Sequence, residues 1–205
     1  MIDTAGNGGH IYQWTLGFHV SAFDIARKRG HTEVVGLLLK RAGPLDRLLD
    51  AFWCGDDARA DAVLAADPQL VDRAPDKALR QVADAARNNN VAAVTAMLRR
   101  GFPVTALSQH GATPLHWAAF HGNADMLEDV LRYNPPINAQ DRQYNGTPMD
   151  WLIHGALDPW RGISTGRHGA CVRPLLDAGA QVEEASLPTG YDAIDRILRE
   201  HFVAR

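Results

Sequence analysis

Hydrophobic positions between His110 and Leu131 follow two helical stripes separated by a polar break. In HGATPLHWAAFHG, Leu115, Ala118 and Ala119 fall on one face of a short helix; after Gly122, Met126, Leu127, Val130 and Leu131 resume the same interval. The first stripe is built of small side chains, a spacing suited to the backbone of another helix. Polar and special residues mark the ends. The Thr113 hydroxyl suits an N-cap, Pro114 suits a first helical position that needs no N–H, and Gly122 suits a helix stop. The pattern predicts a helix-turn-helix unit about thirty residues long, which cannot bury both apolar faces alone and so needs copies on either side.

Copies recur at a period near 33. Asn89 lies 33 residues before Gly122, Gly55 lies 34 before Asn89, and Leu64, Leu98 and Leu131 follow at matching places. ALRQVADAARNNNVAAVTAMLRRGFPV keeps Val82, Ala85, Ala86, Val94 and Leu98 in register but lacks the Thr-Pro start. LDRLLDAFWCGDDARADAVLAADPQLV retains Leu48, Ala51, Gly55 and Leu64. Toward the amino end, SAFDIARKRGHTEVVGLLLKRAG carries Phe23, Ala26, Gly30, Val34, Val35, Leu38 and Leu39. Toward the carboxy end, GTPMDWLIHG repeats the Thr-Pro start at Thr147 and Pro148, and PLLDAGA closes that unit at Ala180.

The segments TPLHWAAFHGN, GHTEVVGLLL, NAQDRQYNGTPMD and PLLDAGA resemble the ankyrin repeat. That family combines a Thr-Pro-Leu-His helix start, a glycine between helices, paired leucines and a Gly-Ala or Asn end. The resemblance runs from about Ser21 to Val182, strongest in the first, fourth and fifth units and carried by periodicity in the second and third. It implies an all-α ankyrin-repeat solenoid of about five helix-turn-helix units with short β-hairpin or loop fingers. The expected units span residues 21–44, 45–72, 73–105, 106–139 and 140–182. Two departures stand out. Asp24 and Asp150 replace the family histidine, and the spacing of 25 from Gly30 to Gly55 leaves no room for a full hairpin.

Irregular segments frame the repeats. Residues 1–20 contain Ile11, Tyr12, Trp14, Leu16, Phe18 and Val20, near-alternating as in a short hairpin that would cap the first helix pair. The fifth unit carries an insertion near 157–168, marked as a loop by Pro159 and its glycines, and Pro174 predicts a late or bent second helix. In residues 183–205, Ile194, Ile197, Leu198 and Phe202 form one stripe, as expected of a closing cap helix.

Composition narrows the function. The chain has 205 residues, 46% hydrophobic and 22% charged, enough for one sizeable domain or repeat array. A net charge of -3 with both signs interspersed supplies no broad basic field, so no nucleic-acid partner is expected. Cys54 and Cys171 stand alone, which suits a reducing cytoplasm. No apolar run approaches the roughly 20 residues that span a bilayer, so no membrane partner is expected. The start MIDTAGNGGH lacks a secretory signal pattern. A cytoplasmic monomer is the expectation.

Catalytic chemistry finds few residues. His116 and His121 are five apart, about 140° apart on a helix, without HExxH, CxxC or a carboxylate partner, so no metal is expected. The family position implies that His116 is instead a structural imidazole bonding neighbouring hairpins. Asp56-Asp57 and Glu183-Glu184 read as helix-start charges, and GNGG at residues 6–9 lacks the strand and helix of a phosphate loop. No enzyme activity and no cofactor are expected.

What remains is surface. The resemblance implies that the two residues before each inter-helix turn form columns on a concave groove: Lys28-Arg29, Trp53-Cys54, Arg87-Asn88, Phe120-His121 and His154-Gly155. Trp53 and Phe120 fit equally as groove anchors or as inward fillers, whereas Arg29 and Arg87 are expected to be solvated and Trp117 and Trp151 to lie in the core. Fingers add Gln109, His110, Arg142, Gln143 and Tyr144; Trp160 in the insertion could fold over the last units or reach a partner. The expected function is a protein–protein interaction module that binds through groove and fingers. Two alternatives remain: a regulatory or sensory module split from a larger polypeptide, and a small-ligand receptor or enzyme using the 157–168 loop. The last would gather His154, Trp160 and His168 around a closed cavity, whereas a binding module leaves the groove open.

Overall fold

The computed structural model describes residues 21–157 and 167–204. The expected hairpin in residues 1–20 and Trp160 of the insertion lie outside the described residues. Among the described residues the fold is all helical, with no β-strand, and the helices pair as ankyrin-type units. The chain divides into two compact units, residues 1–102 and 103–205.

The amino-terminal unit contains α1 (Ala22–Lys28), α2 (Thr32–Arg41), α3 (Pro44–Cys54), α4 (Asp57–Ala66), α5 (Asp76–Leu79), α6 (Gln81–Arg87) and α7 (Val91–Arg99). Ser21 and Asp24 form a capping box at α1, Pro44 starts α3, and the side chains of Asp56 and Asn90 cap α4 and α7. The residues that align between helices share one backbone state: Gly30, Gly55 and Asn89 have φ of 75°, 69° and 55°. The sequence period is therefore a period of left-handed turns, where glycine or asparagine costs least.

Packing follows the alanine-rich faces. Leu48, Ala51 and Phe52 of α3 are buried with Val94, Met97 and Leu98 of α7, and Val82, Ala85 and Ala86 bury α6. Helix α3 packs against both α4 and α7, and α6 against α7. Only Ala42 and Gly43 separate α2 from α3, in keeping with the short Gly30-to-Gly55 spacing. The first pair is thinly buried: Ala26 is its one fully buried residue among those described, and α2 has none.

The same unit holds a polar knot that the sequence pattern does not announce. Asp50 of α3 is buried and takes Arg27 of α1 at 3.0 Å and Arg59 of α4 at 2.7 Å. On the outer side, Arg100 reaches Asp57 at 2.8 Å and Asp61 at 2.6 Å, so opposite charges tie the helices of successive pairs.

The carboxy-terminal unit contains α8 (Pro114–Phe120), α9 (Ala124–Leu131), α10 (Pro148–Leu157), α11 (His168–Asp177) and α12 (Asp192–Val203). Leu115, Ala118 and Ala119 of α8 are buried, as are Met126, Leu127 and Val130 of α9. Leu131 and Leu64 are only half-buried, whereas Leu98 at the aligned place is buried. Helix α10 lies directly on α8. A Cβ at Gly155 would fall well inside van der Waals contact distance of the Phe120 carbonyl oxygen, so this glycine serves close helix approach and not the contact column expected for it. Helix α11 begins at His168 and runs through Pro174, so it does not start late. Helix α12 closes α11 with Ile194 and Leu198 fully buried and Ile197 and Phe202 half-buried.

Candidate partner-binding cleft

Two fingers, residues 103–112 and 136–147, frame the inner helices of the carboxy-terminal unit. They are built from turns rather than ladders. The Ser108 N–H donates to the Ala112 carbonyl at 3.0 Å, the Asp141 N–H to Gly146 at 3.0 Å, and the Arg142 N–H to His110 at 2.9 Å, which joins one finger to the next. His110 and Asn145 take the left-handed conformation, with φ of 66° and 56°.

His116 locks the fingers to α8. Its Nδ1 accepts the Thr113 N–H at 3.2 Å, closing the helix cap, so the ring hydrogen sits on Nε2 and donates to the Gly146 carbonyl at 3.1 Å. Burial lowers its pKa against the opposing pull of the Gly146 carbonyl and Asp141, which keeps the imidazole neutral. The aspartates that replace this histidine do half of its work. Asp24 accepts the Ser21 N–H at 2.9 Å and Asp150 the Thr147 N–H at 2.8 Å, but a carboxylate has no N–H to reach a following finger.

Asp141 organises the second finger. Its carboxylate accepts N–H groups from Gln143 at 2.8 Å, Tyr144 at 2.7 Å, Gly146 at 2.9 Å and the Trp151 indole at 2.9 Å. Desolvation raises its pKa, yet the donors from Tyr144, Trp151, Gln143 and Gly146 prevail and hold it below the usual carboxylate value. Trp117 is anchored in the same way, its indole N–H donating to Ser108 Oγ at 2.6 Å. Both tryptophans are core residues, 5% and 8% exposed, and meet edge to face with centroids 4.8 Å apart.

Around this pair the rings converge. Phe120 stacks on His154 at 6.0 Å and meets Trp151 at 5.7 Å, while His110 lies 5.3 Å from Tyr144. With Asn145, Gly146 and Asp150 they line a cleft of about 650 Å³. Phe120, His154, His110 and Tyr144, separated in sequence, thus meet in one cavity. Trp117, Trp151 and Asp150 join them. The pattern concealed these three, because tryptophans at buried helical positions read as packing and Asp150 stands out only as a replacement of the family histidine.

The other candidate residues lie elsewhere. His121 is half-buried beside Trp117 at 6.3 Å but does not line the cleft. Gln109, Arg142 and Gln143 are exposed on the fingers, with Gln143 Oε1 bonded to His110 Nδ1. In the amino-terminal unit Arg29 is exposed, and Trp53 is half-buried with its indole N–H donating to Gln81 at 2.9 Å. Arg87 departs from the expectation of a solvated cation. It is 6% exposed, because α6 is an inner helix buried along its whole length. His168 is buried too, its Nε2 donating to the Phe120 carbonyl at 3.1 Å, and is not part of the cleft lining.

Both cysteine thiols are held above their ordinary pKa. Burial pushes the Cys171 thiol up to about 12, and burial followed by the Asp50 charge raises that of Cys54. Among the described residues no group of three or more His, Cys, Asp or Glu could hold a metal ion, and no helix is long and apolar enough to cross a membrane.

Comparison with known proteins agrees with this geometry. The ankyrin repeat family matches residues 110–142, the stretch from the first finger through α8 and α9 into the second. The chain is 35% identical over 104 residues to the E3 ubiquitin-protein ligase XB3 of Oryza sativa, half of this chain and 23% of that protein. It is 31% identical over 90 residues to the ankyrin repeat protein nuc-2 of Neurospora crassa, 43% of this chain and 7% of that protein. The chain therefore spans less than a quarter of the length of either relative. Ankyrin repeats serve in general as protein–protein interaction modules and are generally not enzymes. A capped helix start, left-handed turns at a fixed period and a histidine joining fingers fit that family's sequence pattern, and residues 110–142 of this chain form an ankyrin repeat.

Proposed function

We propose that the chain is a protein-binding module whose carboxy-terminal unit receives a partner segment in the aromatic cleft, with the finger tips at Gln109, Arg142 and Gln143 flanking it. One observation carries the reading. Aromatic side chains from two helices and two fingers converge on a cleft of about 650 Å³, within the range of ligand sites and rich in the residue types that anchor interfaces. Tyr144, 62% exposed, offers contact area at little entropic cost. His121 and His154 border the same face. On the amino-terminal unit, Arg29 and Trp53 offer a lesser contact, since Trp53 already spends its N–H on Gln81. The module works as a monomer in the cytoplasm, where Cys54 and Cys171 stay reduced.

The test begins with partners captured by the full chain from native cell extract and identified by mass spectrometry. Affinity and thermal stability are then measured together for Phe120→Ala, Tyr144→Ala and Glu128→Ala, the last an exposed change on α9. The cleft changes should weaken binding at least tenfold, about 1.4 kcal/mol each, and Glu128→Ala should leave it unchanged. Full affinity in both cleft variants with the fold intact overturns the reading.

A further inference from the structure

We propose that the cleft is a cation site that seats an arginine side chain of the partner, its guanidinium stacked on the Trp151 and Tyr144 rings and its charge facing Asp150. The proposal rests on the protein-binding reading and adds the chemistry of the occupant.

Three observations converge. First, the walls are aromatic: Trp117, Phe120, Tyr144 and Trp151 line the cavity, and aromatic rings attract cations, tryptophan most strongly. Second, the fixed charge is negative. Asp150 is exposed and lines the cavity, and among the described residues the lining includes no lysine or arginine. Third, a second carboxylate stands behind the wall. Asp141 receives the Trp151 indole N–H at 2.9 Å, and among the described residues its hydrogen-bond partners are all neutral N–H groups. Its charge is delocalised but not cancelled. It pulls the indole proton toward itself and so enriches the electron density of the Trp151 ring.

The shape separates arginine from other cations. A compact ammonium needs rings on several sides to replace its water, whereas a guanidinium is planar and weakly hydrated. It stacks on a single ring while its edge donates to a carboxylate. The cleft offers that combination, stacked and edge-on rings with Asp150 at one side. Asp150 Oδ2 is held by Thr147 N–H and Oγ1, both at 2.8 Å, so the carboxylate is positioned before any ligand arrives.

The test is an NMR titration of the isotopically labelled full chain with three capped tripeptides: Gly-Arg-Gly, Gly-Lys-Gly, and Gly-citrulline-Gly, which keeps the shape of arginine without its charge. The arginine peptide should move the indole N–H signals of Trp117 and Trp151 and bind about fivefold or more tightly than citrulline. Asp150→Asn keeps an oxygen for the Thr147 cap and should bring the preference below about twofold; Tyr144→Ala should weaken the arginine peptide directly. Equal binding of arginine and citrulline overturns the proposal, as does the absence of shifts with every peptide. A lysine peptide that matches arginine removes the guanidinium assignment. These failures are distinct from failure of the module reading. A partner whose binding depends on Phe120 and Tyr144 while arginine and citrulline bind alike leaves the module and removes the cation. Binding of the arginine peptide alongside full partner affinity in Phe120→Ala does the reverse.

Discussion

The two units solve one problem by different means. Between residues 21 and 102, helices of successive pairs are tied by opposite charges, with Asp50 gripping Arg27 and Arg59 and Arg100 gripping Asp57 and Asp61. Beyond residue 103 the buried ties are made by neutral N–H donors, His116 to Gly146, Trp117 to Ser108 and four N–H groups on Asp141, while the ion pairs Arg167–Asp125 and Arg173–Glu200 lie exposed. Charged ties reach directly from helix to helix, and the two-residue link between α2 and α3 shows that such a joint works without a finger. In the carboxy-terminal unit the neutral donors find their acceptors on fingers, whereas Trp53 meets Gln81 directly from helix to helix. Those fingers also raise the wall of a cleft.

The largest effect should come from Asp141→Ala. It strands the buried Trp151 indole N–H and loosens three finger N–H groups, for an expected loss of about 3 kcal/mol in urea denaturation. Asp50→Ala should cost less, about 1 to 2 kcal/mol, because the side chains of Arg27 and Arg59 are 38% and 28% exposed and can turn to water. Salt sharpens the contrast. At about 1 M NaCl the Asp50→Ala deficit should shrink, while the Asp141→Ala deficit should persist. Equal losses with equal salt response would erase the distinction between the units.

Next in size is acid sensitivity. The His116 pKa is lowered in the fold, so the native state binds fewer protons than the unfolded chain. The contribution is complete above the unfolded value of about 6.5 and is lost as pH falls below it. His116→Asp would keep the cap, as Asp24 and Asp150 do, and lose the bond to Gly146. It should cost about 1 kcal/mol at pH 7.5 and flatten the fall between about pH 6.5 and 5. An unchanged slope would assign the sensitivity to other groups. Asp141, with its pKa also lowered, contributes above the ordinary carboxylate value of about 3.9 and is lost further down. The smallest effect belongs to Gln109→Ala at an exposed finger position, within about 0.5 kcal/mol of the parent in the same assay.

The helical pairs were legible because their signals are local: a cap at Thr113, a proline at Pro114, and left-handed turns at Gly55, Asn89 and Gly122. The structural role of His116 followed from its family position. The cleft was half legible. Phe120, His154, His110 and Tyr144 stood out singly as surface candidates, but nothing in their spacing says that they meet, because their convergence depends on the stacking of α10 on α8. Arg87 misled for a related reason. A cation at the end of a short helix normally reaches water, and only the enclosure of α6 on all sides overrides that preference. Asp50 was invisible because its partners are 23 residues before it and nine after it, too far apart for any helical interval.

Asn145 is followed by Gly146, the pairing in which an asparagine side chain is most readily attacked by the next backbone nitrogen, with loss of ammonia. Here that nitrogen donates to Asp141 Oδ2 at 2.9 Å, and the φ of 56° at Asn145 is set by the finger. The carboxylate that organises the finger therefore also shields its most perishable bond. Ageing would insert an extra methylene into the main chain and a new negative charge into the cleft wall, and no chaperone could reverse it. Peptide mapping of stored protein thus reads the integrity of the finger as a slow chemical clock, one that should run faster in Asp141→Ala than in the parent.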